Sequence, residues 1–179
     1  RHHSMAERIT VVISLVGTAS RRDFEEKMIA DLLIQDSVDL TLIGELSRLA
    51  EDTTGLLCLE GIRGSLVLIA DMSPTAAHTL LAESKIRGQL GTYVDGDVIA
   101  DQSEPREALS PGIYDAMRRT LFCLDIADFV EVEDLGRAIA AIQQNVADQR
   151  LHASRSDFPI LSNTQPATPS AVDTPGDTA

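Results

Sequence analysis

The sequence predicts an α/β fold, a single three-layer domain with an open, mostly parallel sheet of the flavodoxin-like or Rossmann-like kind. Leu66–Ala70 are five consecutive apolar residues, too few to span a membrane and too uniformly apolar for a strand with one wet face. Ser73 and Pro74 follow closely and are typical of a helix N-cap and first helical position. Thr120–Asp125 repeats the pattern of an apolar run that ends in an acid. Buried strands that lead into helices indicate a parallel sheet.

Length and composition predict one domain with tails. The chain has 179 residues, of which 44% are hydrophobic, enough for one ordinary core. Residues 1–4 resemble the remnant of a purification tag, and residues 5–150 are predicted to form the α/β domain. Residues 151–179 are rich in Ser, Thr, Pro, Asp and Ala, so we expect a mobile C-terminal tail, apart from an apolar segment at 158–161 that could dock.

The charge of the chain argues against two classes of partner. A formal net charge of -13 opposes binding to nucleic acid and to anionic membrane surfaces. No signal peptide or membrane-spanning run is visible in the sequence, so we expect a cytoplasmic protein. The same acidic character would steer a basic protein partner.

Neither a metal site nor a cofactor is predicted. Cys58 and Cys123 lie in apolar strings, which is typical of buried free thiols. His78 has no second His, Cys or paired carboxylate at metal-ligand spacing around it. The acidic residues near position 100 do not follow the alternation of a calcium loop.

The first predicted strand, residues 9–16, leads into a candidate anion site. The loop from Gly17 continues into a predicted helix, for which Ser20 and Asp23 resemble a capping pair. Arg21 and Arg22 in its first turn could hold a phosphate or carboxylate at the helix N-terminus. The alternative, which we prefer, is that both arginines are solvated or pair with Asp23, Glu25 and Glu26, because no phosphate-binding glycine motif is present.

One segment allows two folds. Residues 38–43 alternate as a second strand, and residues 55–62 that follow are compatible with a helix or with a strand paired to Leu66–Ala70. We prefer the helix, because it keeps the alternation that a parallel sheet requires. The hairpin would give a ferredoxin-like split βαβ arrangement, an α+β fold.

The remaining elements follow in order. A helix is predicted from Pro74 to about residue 85, and residues 87–94 form a strand weakened by two glycines. A turn at 95–97 leads into an acidic, mobile excursion over 98–109, and a short helix over 110–117. After Thr120–Asp125, residues 127–133 turn the chain, and Asp134 caps a last helix that ends near 148–150. Its apolar stripe consists of Leu135, Ile139, Ile142 and Val146.

The succession of strands resembles a known bacterial region. Val38-Asp-Leu-Thr-Leu-Ile, then Gly64-Ser-Leu-Val-Leu-Ile with an Ala-rich helix, then Arg119-Thr-Leu-Phe-Cys-Leu-Asp is similar to an uncharacterised α/β region that occurs next to ferredoxin-type iron–sulfur modules. The resemblance implies a redox-associated partner and transfers no catalytic residue. This chain has no cluster of four cysteines with which to hold an iron–sulfur centre.

Two classes of function follow. The first is a non-catalytic binding or regulatory module that engages a protein partner, a second copy or a small anionic ligand. The second is an enzyme acting on an anionic substrate at the carboxyl edge of the sheet, although no nucleophile–base pair is recognisable. We prefer the first. The candidate ligand-binding residues, which a doubly wound sheet would gather at one edge, are Thr18, Ser20, Arg21, Arg22, Glu45, Asp71, Ser73 and Asp125.

Overall fold

The structure, a computed structural model, describes residues 8–100 and 119–156. These residues form six strands and four α-helices, which alternate along the chain as far as β4. The strands are β1 (Ile9–Ser14), β2 (Val38–Ile43), β3 (Leu66–Ala70), β4 (Gln89–Val94), β5 (Asp97–Ala100) and β6 (Thr120–Asp125), and the helices are α1 (Arg22–Leu33), α2 (Thr53–Gly61), α3 (Pro74–Glu83) and α4 (Val132–Ser156).

The six described strands form one mostly parallel sheet in the order β2-β1-β3-β6-β4-β5. Among them only β5, the outer strand beside β4, runs antiparallel. β3 lies between β1 and β6 and is parallel to both. All five of its residues are buried, as the apolar run predicted. The predicted α/β class is therefore confirmed.

Helices cover both faces of the sheet because adjacent strand residues point to opposite sides. Val11, Ile13 and Phe122 pack with α1 and α4 in one hydrophobic cluster. Val12 and Leu68 pack with α2 and α3 in the other. The chain thus builds three layers, with the sheet in the middle.

The ferredoxin-like alternative is wrong. Residues Thr53–Gly61 form a helix, whose N-terminal N–H of Gly55 donates to the Asp52 carboxylate at 2.9 Å. A hairpin to β3 is impossible because both edges of β3 are already paired with β1 and β6.

The two cysteines have different outcomes. Cys58 on α2 is exposed, contrary to the prediction, because only the Gly55 and Leu59 side of this helix is buried. Cys123 is buried as predicted.

The two predicted helix caps have different outcomes. Ser73 caps α3, its hydroxyl accepting from the N–H of Ala76 at 3.3 Å, and Pro74 is the first helical residue. Ser20 does not cap α1: the helix begins one residue later than a Ser20 cap requires, and Arg21 takes the N-cap position without a side-chain hydrogen bond.

The excursion predicted over 98–109 is wrong at its start, because residues 98–100 belong to strand β5. The turn at Asp95 and Gly96 is present, and both residues have positive φ, at 51° and 94°. Two positive φ values match the right-handed twist of a two-residue hairpin, so the chain returns along β4 as strand β5. The rest of the excursion and the helix predicted over 110–117 lie outside the described residues.

The last helix is longer than predicted. Leu135, Ile139, Ile142 and Val146 are buried, which confirms the apolar stripe of α4. Asp134 lies in the first turn and not at the cap, since the helix begins at Val132 and extends to Ser156.

The segments at 1–4 and 157–179 lie outside the described residues. Among the helices that the structure describes, none combines the length and apolar character needed to cross a bilayer.

Candidate functional site

The carboxyl ends of four parallel strands lie at one edge of the sheet. Ser14 at the end of β1 is in register with Ile43 at the end of β2, and Ala70 at the end of β3 with Asp125 at the end of β6. The loops that follow these strands therefore share this edge. They carry six of the eight candidate residues, while Asp125 ends β6 and Arg22 begins α1. We call this edge the carboxyl edge.

The direction of the chain changes between β1 and β3. From β1 the chain passes through α1 to β2 on one side, whereas from β3 it passes through α3 to the other side. α1 and α3 cover opposite faces, so the loops that open them diverge. Such a switch point leaves a crevice in which open α/β sheets bind ligands.

An ion pair joins the two loops at this switch point. Nη2 of Arg21, just before α1, lies 3.5 Å from Oδ1 of Asp71, just after β3. The Arg21 side chain is 31% exposed and that of Asp71 is 36% exposed. Water screens a pair of this exposure, so its net stabilisation is at most about 1 kcal/mol. A ligand that binds Arg21 more strongly than Asp71 does could therefore displace Asp71, and a ligand that binds Asp71 more strongly could displace Arg21.

The loop that carries Arg21 is fixed by hydrogen bonds at both ends. Gly17 has a φ of 68°, which permits the turn out of β1. The N–H of Val16 donates to the buried carboxylate of Glu25 at 3.3 Å, and the N–H of Arg21 donates to the carbonyl of Thr18 at 3.2 Å. The backbone of Arg21 is therefore held in place while its side chain extends toward β3.

Glu25 was not among the candidate residues. The sequence contains an indication of its burial, because the spacing of Glu25, Met28 and Leu32 places them on one helical face. All three are buried in the structure. An acid on the buried face of a helix needs a hydrogen-bond donor, which the N–H of Val16, two residues after β1, provides.

Ser14 is a second residue that sequence reasoning missed. Its hydroxyl, 4% exposed, donates to the carbonyl of Gly44 at 3.2 Å and accepts from the N–H of Leu46 at 2.9 Å. These bonds tie the end of β1 to the loop after β2. The available signal was a single hydroxyl in an otherwise apolar strand.

The other candidate residues lie at the carboxyl edge in separate local contacts. Ser47 donates to the Glu45 carboxylate at 2.7 Å, and Asp125 accepts from the N–H of Ala127 at 2.9 Å. The Ser73 hydroxyl is used as the α3 cap. Thr18, Ser20 and Arg22 are exposed. Of the eight, the described contacts bring together only Arg21 and Asp71.

The chemistry available at this point is that of anion recognition. A guanidinium presents planar donors that match carboxylate and phosphate oxygens. The N-terminus of α1 adjoins Arg21 and has no side-chain cap, so its first N–H groups carry the partial positive charge of the helix end. Within the described residues, no three His, Cys, Asp or Glu side chains gather closely enough to hold a metal ion.

Comparison with protein-family models, with curated proteins and with solved structures finds no match for this chain. The class is therefore defined by the fold itself, a six-stranded, mostly parallel α/β sheet with helices on both faces.

Proposed function

We propose that this protein is a non-catalytic binding module that recognises an anionic group at the carboxyl edge of its sheet, where Arg21 is the principal ligand. The observation that supports it is the 3.5 Å contact between Arg21 and Asp71 across the switch point. The flavodoxin-like or Rossmann-like assignment belongs to this proposal: the order β2-β1-β3 agrees with the flavodoxin-like order, whereas β6 takes the place next to β3.

In this proposal Asp71 competes with the ligand. A carboxylate or phosphate that binds both guanidinium nitrogens of Arg21 replaces the Asp71 oxygen. Asp71 lies two residues before Ser73, the cap of α3. When Asp71 separates from Arg21, the backbone at the start of α3 is therefore free to shift. Ligand binding would thereby change the surface that a protein partner contacts. The resemblance to the region beside iron–sulfur modules suggests that this partner is redox-associated.

The test measures affinity for inorganic phosphate and acetate by calorimetry at constant ionic strength. Arg21→Ala should abolish binding. Asp71→Asn removes the competing charge and should tighten it roughly 1.4- to 5-fold, the equivalent of an exposed ion pair. Arg22→Ala is the matched control, because Arg22 is an exposed arginine one residue away, and it should leave the affinity within about twofold.

The alternative is an enzyme that uses Asp71 as an acid or base. It makes the opposite prediction for Asp71→Asn, loss of turnover with an intact fold. If wild-type protein binds neither anion, or if Arg22→Ala weakens binding as much as Arg21→Ala, the proposed function is wrong.

A further inference from the structure

A second surface, formed by helices that cover one face of the sheet and away from the carboxyl edge, has the features of a protein-binding groove. It lies between α1 and α4 and has a volume of about 240 Å³, less than the roughly 300–1,000 Å³ of sites that enclose a whole small molecule. It is suited to one or two aliphatic side chains. Its apolar lining consists of Met28, Leu32, Ile34, Val132, Leu135 and Ile139.

The groove opens onto exposed apolar side chains. Ile34, which lines it, is 81% exposed, and its neighbour Leu33 is 68% exposed. Val130, two residues before the groove residue Val132, is 82% exposed. Leu33 and Val130 are thus close in sequence to groove residues, while Ile34 itself lines the groove. An exposed aliphatic side chain at a concave apolar site is typical of protein interaction sites.

The described side chains that line the groove are uncharged or negative. Asp31 and Glu133 line it, and the described lining contains no basic side chain. Lys27 bridges the helices by donating to Glu133 at 2.9 Å, so the carboxylate of Asp31 is the one left without an ion-pair partner in the described part of the chain. Glu131, which directly precedes α4, adds a further carboxylate, whereas Asp134 in the first turn of α4 pairs with Arg137.

The apolar segment of the C-terminal tail is too far away to fill the groove of its own chain. Gly136 lines the groove, and the 20 residues of α4 from there to Ser156 rise about 30 Å. The five residues from 157 to 161 span at most about 18 Å when fully extended. A second copy would bring a chain of the same net charge of -13 to an acidic surface.

We infer that the groove between α1 and α4 binds a basic segment of another protein, inserting one or two aliphatic side chains between Ile34 and Val132 while lysines or arginines contact Asp31. This inference is independent of the proposed anion site. The two surfaces use different residues, so either can fail alone.

The experiment measures fluorescence anisotropy of a labelled helical peptide with leucines at positions i and i+3 or i+4 and lysines elsewhere. Wild-type protein should bind it with an affinity that falls as salt rises. Ile34→Ser should weaken binding at least about fivefold, as expected for an anchor contact. Asp31→Lys should weaken it through charge repulsion, and Arg21→Ala should leave it unchanged.

The matched controls lie on α2, which covers the opposite face. Leu57 is 62% exposed and Glu60 is exposed, so Leu57→Ser and Glu60→Lys repeat the same chemical changes away from the groove. Both should bind like wild type. A peptide with glutamates in place of the lysines should not bind.

Three results of the binding experiment would overturn the inference, as would a fourth from light scattering. They are no binding of the lysine peptide by wild type, equal weakening by the α2 variants, and unchanged binding by Ile34→Ser and Asp31→Lys when both melt like wild type. Light scattering that shows a dimer dispersed by Ile34→Ser would assign the groove to a second copy and overturn the basic partner.

Discussion

Arg21 and Asp71, 50 positions apart in the sequence, meet 3.5 Å from each other at the point where the sheet reverses its winding direction. The contact joins the loop that opens α1 on one face to the loop that opens α3 on the other. It is also the place where the two helical layers, which pack on opposite sides of the sheet, are linked by side chains at the carboxyl edge.

The pair should contribute little to stability, which is what leaves it available for ligand exchange. A double-mutant cycle with Arg21→Met and Asp71→Asn should give a coupling energy of about 0.2–1 kcal/mol that shrinks with added salt. Urea unfolding measures it. The same cycle with Arg22→Met in place of Arg21→Met should give no coupling. A coupling of several kcal/mol would contradict the idea that a ligand can displace Asp71.

Ser14 should matter more for stability than its size suggests. Ser14→Ala leaves the buried N–H of Leu46 without its acceptor, at a cost of about 1–3 kcal/mol, and also removes the bond to the carbonyl of Gly44. Ser47→Ala makes the same change at an exposed hydroxyl and should stay within about 0.5 kcal/mol. Chemical denaturation of both variants compares them, and equal losses would contradict the assigned role of Ser14.

Gly91 is required by the close approach of β4 to β6. A Cβ atom there would lie 2.6 Å from Cγ2 of Thr120 and would also meet the ring of Phe122, both buried. Gly91→Ala should therefore destabilise the protein by about 1–3 kcal/mol. Gly61→Ala at the end of α2 is the control, because a Cβ there meets nothing within 4 Å. Thermal unfolding should show the first variant melting lower and the second unchanged or higher.

The link between Lys27 and Glu133 should make the α1–α4 packing depend on pH. The hydrogen bond to Lys27 lowers the pKa of Glu133, and the bond to Glu133 raises the pKa of Lys27. The Glu133 contribution is thus present above the pKa of a free glutamate and is lost as pH falls through its lowered folded-state pKa. The Lys27 contribution is present below the pKa of a free lysine and is lost as pH rises through its raised folded-state pKa.

Between the pKa of a free glutamate and that of a free lysine, Lys27→Met should have a lower free energy of unfolding than wild type. The gap between the two free energies should narrow as the pH falls, in unfolding curves recorded at a series of acidic pH values. Arg48→Met, which removes an exposed i,i+3 pair with Glu51 within one segment, is the control. A Lys27→Met deficit that persists unchanged in acid would contradict the ion-pair origin.

The two thiols should differ in reactivity. Burial raises the pKa of Cys123 to about 12, so almost no thiolate is present at neutral pH, whereas Cys58 is exposed on α2. A thiol reagent at pH 8 should modify one cysteine rapidly and the second only after unfolding. Cys58→Ser should abolish the rapid phase. Two rapid phases in the native protein would place Cys123 at the surface.

Several elements could be predicted because their signals are local. Leu66–Ala70 is apolar at every position, Ser73 and Pro74 supply a helix start within two residues, and Asp95-Gly96 accommodates the positive φ values of a tight hairpin. Predictions failed where packing chose among similar local options. Cys58 shares an apolar string with Leu59, but a helix turns the two toward different surroundings.

By itself, then, the sequence determined five of the six described strands, all except β5, together with the four described helices and the edge at which the loops gather, since residue patterning and turn chemistry act over a few positions. Only the tertiary structure decided that β6 lies between β3 and β4, that Glu25 is buried to hold Val16, and that Arg21, not Arg22, faces Asp71. Each of these depends on contacts between residues distant in sequence. Their geometry is fixed when helices pack on the sheet, and no short segment encodes it.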